Sequence, residues 1–231
     1  MSTSVDLSGD HNKLALSYGA EMLDETAWGD DTRISKAGLL TVGAVHEGFW
    51  QCDGTSAVDD VLWGKFATAD EVMTVCPTTG AAGEVAYTLK SAVARYSPGA
   101  EVGAMLAFTV EASGTGKLVR ATVMETGAKT STATGTAREL GAATAAQTIY
   151  AAMHITAVSG TNPTLDMVLQ SDDAEGFTDP TDRITFTQAD AVGAEWKDLG
   201  GEINDTWWRL SWTVGGTETP SFTVLVVVGI L

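Results

Sequence analysis

The sequence predicts a mainly β protein: a β-sandwich carrying one short helix, followed by a second antiparallel β-sandwich of the jelly-roll or immunoglobulin-like kind. Three observations predict it. Apolar residues alternate with polar ones in most ordered-looking stretches, turn residues punctuate those stretches at short intervals, and only one segment has helical spacing.

The alternation is plainest in four runs. Leu106, Phe108 and Val110 share one face of AMLAFTVEA, and Val119, Ala121 and Val123 one face of LVRATVM. Leu165, Met167 and Leu169 oppose Asp166 and Gln170 in TLDMVLQ. In WWRLSWTV, Trp208, Leu210, Trp212 and Val214 face one way and Trp207, Arg209, Ser211 and Thr213 the other. Side chains on a strand point to opposite faces in turn, so each pattern means one covered face and one wetter face. The final run, FTVLVVVGIL at 222–231, is apolar on both faces and requires cover on both. Between the runs lie SPGAEVG (97–103), SGTGK (113–117), SGTNPT (159–164), DPTD (179–182) and VGGTETP (214–220). Glycine supplies positive φ there and proline presets the turn, as hairpin or inter-sheet connections need.

The helical exception is TSAVDDVLWGKFA. Val58, Val61, Leu62 and Phe66 recur at helical spacing, and Ser56 with Asp59 forms a capping pattern, which predicts a helix near 57–66 packed on a sheet. Residues 126–148 hold few large apolar side chains and read as a linker or an extended hairpin arm. The expected division is residues 1–128, a connecting segment 129–147, and a second domain 148–231.

The chain has 231 residues, 44% of them hydrophobic, and carries 30 acidic against 13 basic residues for a net charge of −17. The acids are spread along the chain: residues 1–131 hold 17 acids and 9 bases, residues 132–231 hold 13 and 4. Binding to nucleic acid draws on Lys and Arg neutralising phosphates, so this charge disfavours DNA, RNA and anionic lipid as bound partners. The longest apolar run is about half a membrane span, and the N-terminal MSTSVDLSGDHNK lacks the basic-then-apolar order of a secretory signal, so synthesis in the cytoplasm is expected. Two cysteines, Cys52 and Cys76, are expected to be reduced.

Catalytic equipment is sparse. His11, His46 and His154 are far apart and lack zinc-helix spacing; His46 and His154 sit in alternating runs as sheet residues. No GxSxG elbow occurs, and SGTGKL lacks the first glycine and the hydroxyl of a phosphate-binding loop. The loop SDDAEGFTDPTD offers Asp172, Asp173, Glu175, Asp179 and Asp182 as hard oxygen ligands for Ca²⁺, but its spacing is not that of an EF-hand, and a solvated acidic turn is the favoured reading. No metal and no cofactor are expected. Trp207 and Trp208 are adjacent, so one faces the core and the other, Trp207, is a candidate exposed aromatic for a sugar or a protein partner.

Three stretches carry a family resemblance: LDETAWGDDTRISKAGLLTVGAVHEGFW (23–50), AVDDVLWGKF (57–66) and VAYTLKSAVARYSPGAEVGAMLAFTVEASG (85–114). Together they resemble the major tail tube proteins of long-tailed (siphovirus-type) bacteriophages. In that family a GDxxR…aGL loop leads into a strand ending near xEGF, a helix follows, and later strands frame a Y-x-PGG-x-VG turn; here that turn is YSPGAEVG, with Ala100 in place of the second glycine. The second half looks, more loosely, like β-sandwich modules appended to phage structural proteins.

The resemblance implies a tail-tube-like sandwich, a structural virion protein rather than an enzyme, and a location in the tail. It implies self-association into stacked, hexameric rings, contact with other tail proteins, no membrane, and a lumen through which DNA passes without specific binding. In that setting residues 28–38 become an arm reaching a neighbouring subunit, with Trp28, Asp30, Asp31, Arg33 and Lys36 as contact residues, and lumen carboxylates repel the duplex. A capsid decoration protein and a carbohydrate-binding module using Trp207 or Trp208 are the rival readings.

Overall fold

The computed structural model describes residues 4–52 and 57–231. The described residues form twelve strands and one helix: β1 (His11–Asp24), β2 (Ser35–Phe49), α1 (Val58–Gly64), β3 (Glu71–Val75), β4 (Val85–Gly99), β5 (Ala107–Gly114), β6 (Val119–Lys129), β7 (Ala133–Thr134), β8 (Arg138–Glu139), β9 (Thr148–Asp172), β10 (Thr181–Thr185), β11 (Gly193–Gly200) and β12 (Trp207–Ile230). Paired strands run antiparallel, and the architecture is mainly β and sandwich-like. The chain divides into two compact units: one of residues 1–6, 72–88 and 119–231, the other of residues 7–71 and 89–118.

The first unit is organised by β9 and β12. These strands, of 25 and 24 residues, pair along nearly their whole length. The turn-rich sequences SGTNPT and VGGTETP are bends inside the two strands, opposite each other: Thr161 pairs with Thr217 and Ser159 with Ser221, across register shifts. Positive φ at Gly160, Asn162, Gly216, Glu218 and Thr219 makes the bend. Both halves of the ladder line a single core, with Ile149, Met153 and Ile155 beside Leu165, Met167 and Leu169 of β9, and Trp208 and Leu210 beside Phe222, Val224 and Val226 of β12. The opposite face of β12 meets a second cluster of Ala86, Val119, Ala121, Val123 and Ala152 through Val227. That is the two-sided cover that the apolar final strand requires. Gly229 permits the close packing, because a Cβ there would lie 2.6 Å from the Arg120 carbonyl oxygen.

The expected linker is part of this unit. In residues 129–147, β7 and β8 pair with β12, and Ala143 is buried and bridges to Ile203. The segment has few large side chains to bury, but its backbone is what β12 needs. Trp212 Nε1 donates to the Ser131 carbonyl at 3.0 Å and Trp208 Nε1 to that of Gly141 at 2.9 Å, so two buried indole donors are satisfied. The Lys129 ammonium lies 4.6 Å from the centre of the Trp212 ring and also pairs with Glu125. The boundary expected at residue 128 therefore falls inside a unit, which also takes residues 72–88 from the first half of the chain.

The second unit has the strand order β1-β2-β5-β4, covered in part by α1. The helix is shorter than the expected 57–66. It begins after Ala57 with no side-chain cap, and Ser56, the expected cap, lies outside the described residues. Val58 and Leu62 are buried against Phe108 and Val110, whereas Phe66 is half-exposed. Asp59 and Asp60 in the first turn face the positive end of the helix dipole.

A part-buried polar knot joins β9 and β10 to Asp205. Arg183 donates through Nε to Ser171 Oγ at 2.7 Å and through its terminal nitrogen to Asp205 at 2.8 Å, and Ser171 Oγ donates to Asp205 at 2.6 Å. The bonds from Ser171 and Arg183 hold the Asp205 carboxyl below its usual range. A depressed folded-state value stabilises the fold above the unfolded value and is lost as pH falls through the folded one. Asp205→Asn is expected to cost about 1 kcal/mol in urea unfolding at pH 7. The difference from wild type should shrink as pH is lowered below the ordinary aspartate value and vanish in strong acid.

Candidate interaction surface

Strands β1 and β2 form a hairpin arm. They pair from His11 opposite Gly48 to Asp24 opposite Ser35, with register shifts between His11 and Lys13 and between Ala20 and Met22. Only the second half of β2, Gly43–Phe49, has a third strand beside it, β5. The distal half is a two-stranded ribbon, and an isolated ribbon buries little in water.

The arm keeps a strand's two-faced pattern after its cover has ended. Leu14, Leu16, Tyr18 and Ala20 stand opposite His46, Ala44, Val42 and Leu40 in register, so these eight share a face. Towards β5 the face continues into Val110 and Phe108, beneath α1. Away from β5 it is open: Tyr18 is 50% exposed, Leu40 58% and Met22 62%. Leu39 is exposed on the other face. A shallow hollow beside Tyr18, Leu40 and Val42 is bordered by Gly114, Thr115, Gly116 and Lys117. Contiguous open apolar surface of this kind is uncommon on monomeric soluble proteins.

The arm's tip is built by its own residues. Asp24 accepts from the Thr26 amide at 3.0 Å, the Thr26 hydroxyl at 2.6 Å and Arg33 Nε at 3.0 Å. The Thr26 hydroxyl leads the bonds that hold the Asp24 carboxyl below its usual range. Asp30 accepts from the Ala27 amide at 2.7 Å, Lys36 pairs with Glu25 at 3.4 Å, and Gly29 supplies a φ of 113°. Of the residues expected at a subunit contact, Arg33, Lys36 and Asp30 thus shape the loop. Trp28, at 107% exposure, is left wholly outside it, and Asp31 is exposed. The charged side chains set the tip's form, and the apolar ones face outward.

Trp63 of α1, Phe66, and Val102 and Met105 of the β4–β5 connection are also exposed on this unit. Asp59 of α1 accepts from Trp50 Nε1 at 2.9 Å and from the Tyr96 hydroxyl at 2.6 Å. Burial, aided by Asp59, pushes the Tyr96 hydroxyl's pKa up. Sequence reading missed this triad, whose members are 9 and 37 residues apart. It also missed the meeting of His11 with His46, whose ring centroids are 4.5 Å apart. Of these residues only His46 carried a signal, as a polar residue in an otherwise apolar alternating run.

The other expected sites fare differently. Asp172 is buried, and its two oxygens accept from the Ala174 and Asp179 amides, both at 3.0 Å. The Ala174 amide is the main cause holding its carboxyl below the usual range, while hydrogen bonding to Asp172 raises Asp173. Asp182 accepts from Gln170 at 2.7 Å, on the β10–β9 pair. Glu175 and Asp179 are exposed, and among the described residues no three potential ligands converge on a metal position. Trp207 is half-buried, in register with Asp172 and Glu139, and not the exposed platform expected. Trp208 is fully buried. His154 is buried, within bonding distance of Ser4 Oγ and Thr74 Oγ1. Cys76 is a free thiol of intermediate burial, and Cys52 is exposed. Among the described residues no helix is long and apolar enough to cross a membrane.

No protein-family model and no curated protein matches the chain. Among solved structures it is similar to a chain of the virion of a native gene transfer agent particle, with 12% identity, a TM-score of 0.40, and coverage of 48% of this chain and 84% of the other. A chain from the tail of an empty gene transfer agent particle, refined with C6 symmetry, gives 11%, 0.39, 48% and 81%. The Dit protein of phage SPP1, described as a paradigm of the hub adsorption apparatus in phages infecting Gram-positive bacteria, gives 12%, 0.34, 98% and 96%. Likeness at this level carries no functional conclusion.

Asp59→Ala would leave the Trp50 and Tyr96 donors without their acceptor. It is expected to lower stability by about 1–3 kcal/mol in urea unfolding, with Tyr96→Phe costing less because it removes donor and demand together.

Proposed function

We propose that this chain is a structural virion protein of a phage tail that associates with copies of itself, as stacked, hexameric rings forming a tail tube. One observation carries the reading: the β1–β2 arm has a strand-ordered apolar face that outruns the cover of its own unit. A neighbouring copy would complete that face. Ring closure and stacking both need unlike surfaces on one subunit; the open face of the arm is one, and the exposed apolar side chains Trp63, Val102 and Met105 are candidates for another. β1 is also an edge strand with unpaired backbone groups along one side. The resemblance of residues 23–50, 57–66 and 85–114 to tail tube proteins supplies the tube itself.

The charge fits such a conduit. With 30 acids against 13 bases, the chain can line a lumen with carboxylates that repel duplex DNA and favour sliding over retention. Other tail proteins are the expected partners at the tube's ends, and no catalysis is assigned. The half-burial of Trp207 weighs against a carbohydrate-binding reading that needs it as an open platform.

Tyr18→Asp with Leu40→Asp places charge on the open face without touching a buried residue. Purified wild type should give rings or tubes by negative-stain microscopy and a multimeric mass by light scattering. The double variant should give a folded monomer with an unfolding midpoint close to wild type. A wild-type chain monomeric at every concentration, or a variant that assembles normally, would overturn the reading.

A further inference from the structure

The base of the arm holds two imidazoles in contact. His11, the first residue of β1, places Nδ1 2.7 Å from the Leu7 carbonyl oxygen. A carbonyl only accepts, so Nδ1 of His11 carries the proton and, in the neutral ring, Nε2 is a bare acceptor. Nδ1 of His46, on β2, is hydrogen-bonded to that Nε2, so His46 is the donor. His46 is 6% exposed, and Phe108 packs edge-on against both rings, with centroid distances of 5.2 and 6.5 Å.

The same contact fixes the turn that precedes β1. The Asp10 amide donates to the Leu7 carbonyl at 3.1 Å, and the Phe49 amide to the Asp10 carbonyl at 3.3 Å. Gly48 has no side chain where the Asp10 carbonyl passes; a Cβ there would collide with it. The turn is tied to β2 by that backbone bond and the His11–His46–Leu7 chain, beside the packing of Leu7 against the Val58, Leu62, Phe108 and Val110 cluster.

We propose that the His11–His46 pair is a pH-operated latch that fastens the Leu7–Asp10 turn to the base of the β1–β2 arm. The proton count gives the mechanism. A first added proton leaves one N–H between the facing nitrogens, whichever ring carries the charge, so the His46–His11 bond survives. A second puts an N–H on both facing nitrogens, and the bond is lost. The closed pair thus holds at most one extra proton, whereas two solvated imidazoles take up two.

The surroundings offer no relief. On β1 and β2, Lys13 and Glu47 are engaged with each other at 2.7 Å. On β5 the neighbour is apolar Phe108; from β4 and α1, Tyr96 and Asp59 are bonded together, with Trp50 as Asp59's second donor. Asp10 faces the pair from the turn through its backbone. Burial first, and then the charge of His11, push His46 down to about 4. The folded-state value is depressed, so the open form binds more protons between the ordinary histidine value and about pH 4. The latch is closed at neutral pH and weakens as pH falls through that window. It operates whether or not the chain assembles.

Hydrogen exchange of the full chain at pH 7.5 and 5.0, corrected for intrinsic rates, reads the latch directly. Opening of segments 7–13 and 44–49 is expected to rise roughly tenfold at pH 5.0, while 208–212 in β12 stays unchanged. His46→Gln should abolish the pH-dependent part, because an amide can either donate to or accept from His11. Equal protection at the two pH values, or the same loss in His46→Gln, would overturn the proposal. A second readout needs no variant: imidazole C2–H exchange by mass spectrometry on the wild type. His46 should resist protonation down to near pH 4, and ordinary, independent titration of both rings would equally overturn the proposal.

Discussion

The β9–β12 ladder is the interaction on which the first unit depends. Two strands of some two dozen residues each bend together, and the bend brings both halves of each strand to one core. A single continuous ladder satisfies the backbone on both sides of the bend, so the sandwich-like fold is made without cutting the hydrogen bonds between its layers. Most of the unit attaches directly to that ladder: β6 on one side of β12, β10 and β11 on β9, and the small-residue segment 130–143 over the tryptophans, while β3 and the start of β4 join through β6.

The second unit solves the opposite problem incompletely. Its sheet has a cover, α1, only seven residues long, and that helix reaches Phe108 and Val110 but not the far half of β1 and β2. The alternating pattern nevertheless continues to the arm's end, so apolar side chains emerge into solvent in strand order. An apolar stripe with a polar, self-bonded tip differs from a frayed loop: Asp24, Thr26, Asp30 and Arg33 spend their hydrogen bonds on holding the tip's shape. The arm's base is fastened by bonds of a different kind, between two imidazoles and a carbonyl, whose count depends on protons.

Much of this was legible in the residues. The alternation around Phe108–Val110, Val119–Val123, Leu165–Leu169 and Trp208–Trp212 named strand faces that are buried in the structure, whereas Leu106, expected on the first of these faces, lies before β5 and is exposed. The helical spacing of Val58 and Leu62 located α1. The segment 129–147 was not legible, because its role is to lend backbone carbonyls to indole donors, and a carbonyl has no residue signature. The Trp50–Asp59–Tyr96 and His11–His46 groups were hidden for a related reason: each joins strands, or strand and helix, whose pairing is non-local.

By itself the sequence determined the β class, the faces of the strands, the single helix and the acidic charge, since these follow from side-chain periodicity and composition along a short window. Only the tertiary structure decided which runs are one bent strand rather than two, which part of the chain completes which unit, and which apolar face is left open. Those outcomes depend on what lies opposite each residue in space. Opposition is set by register between segments that can be more than fifty residues apart, as Thr161 and Thr217 are.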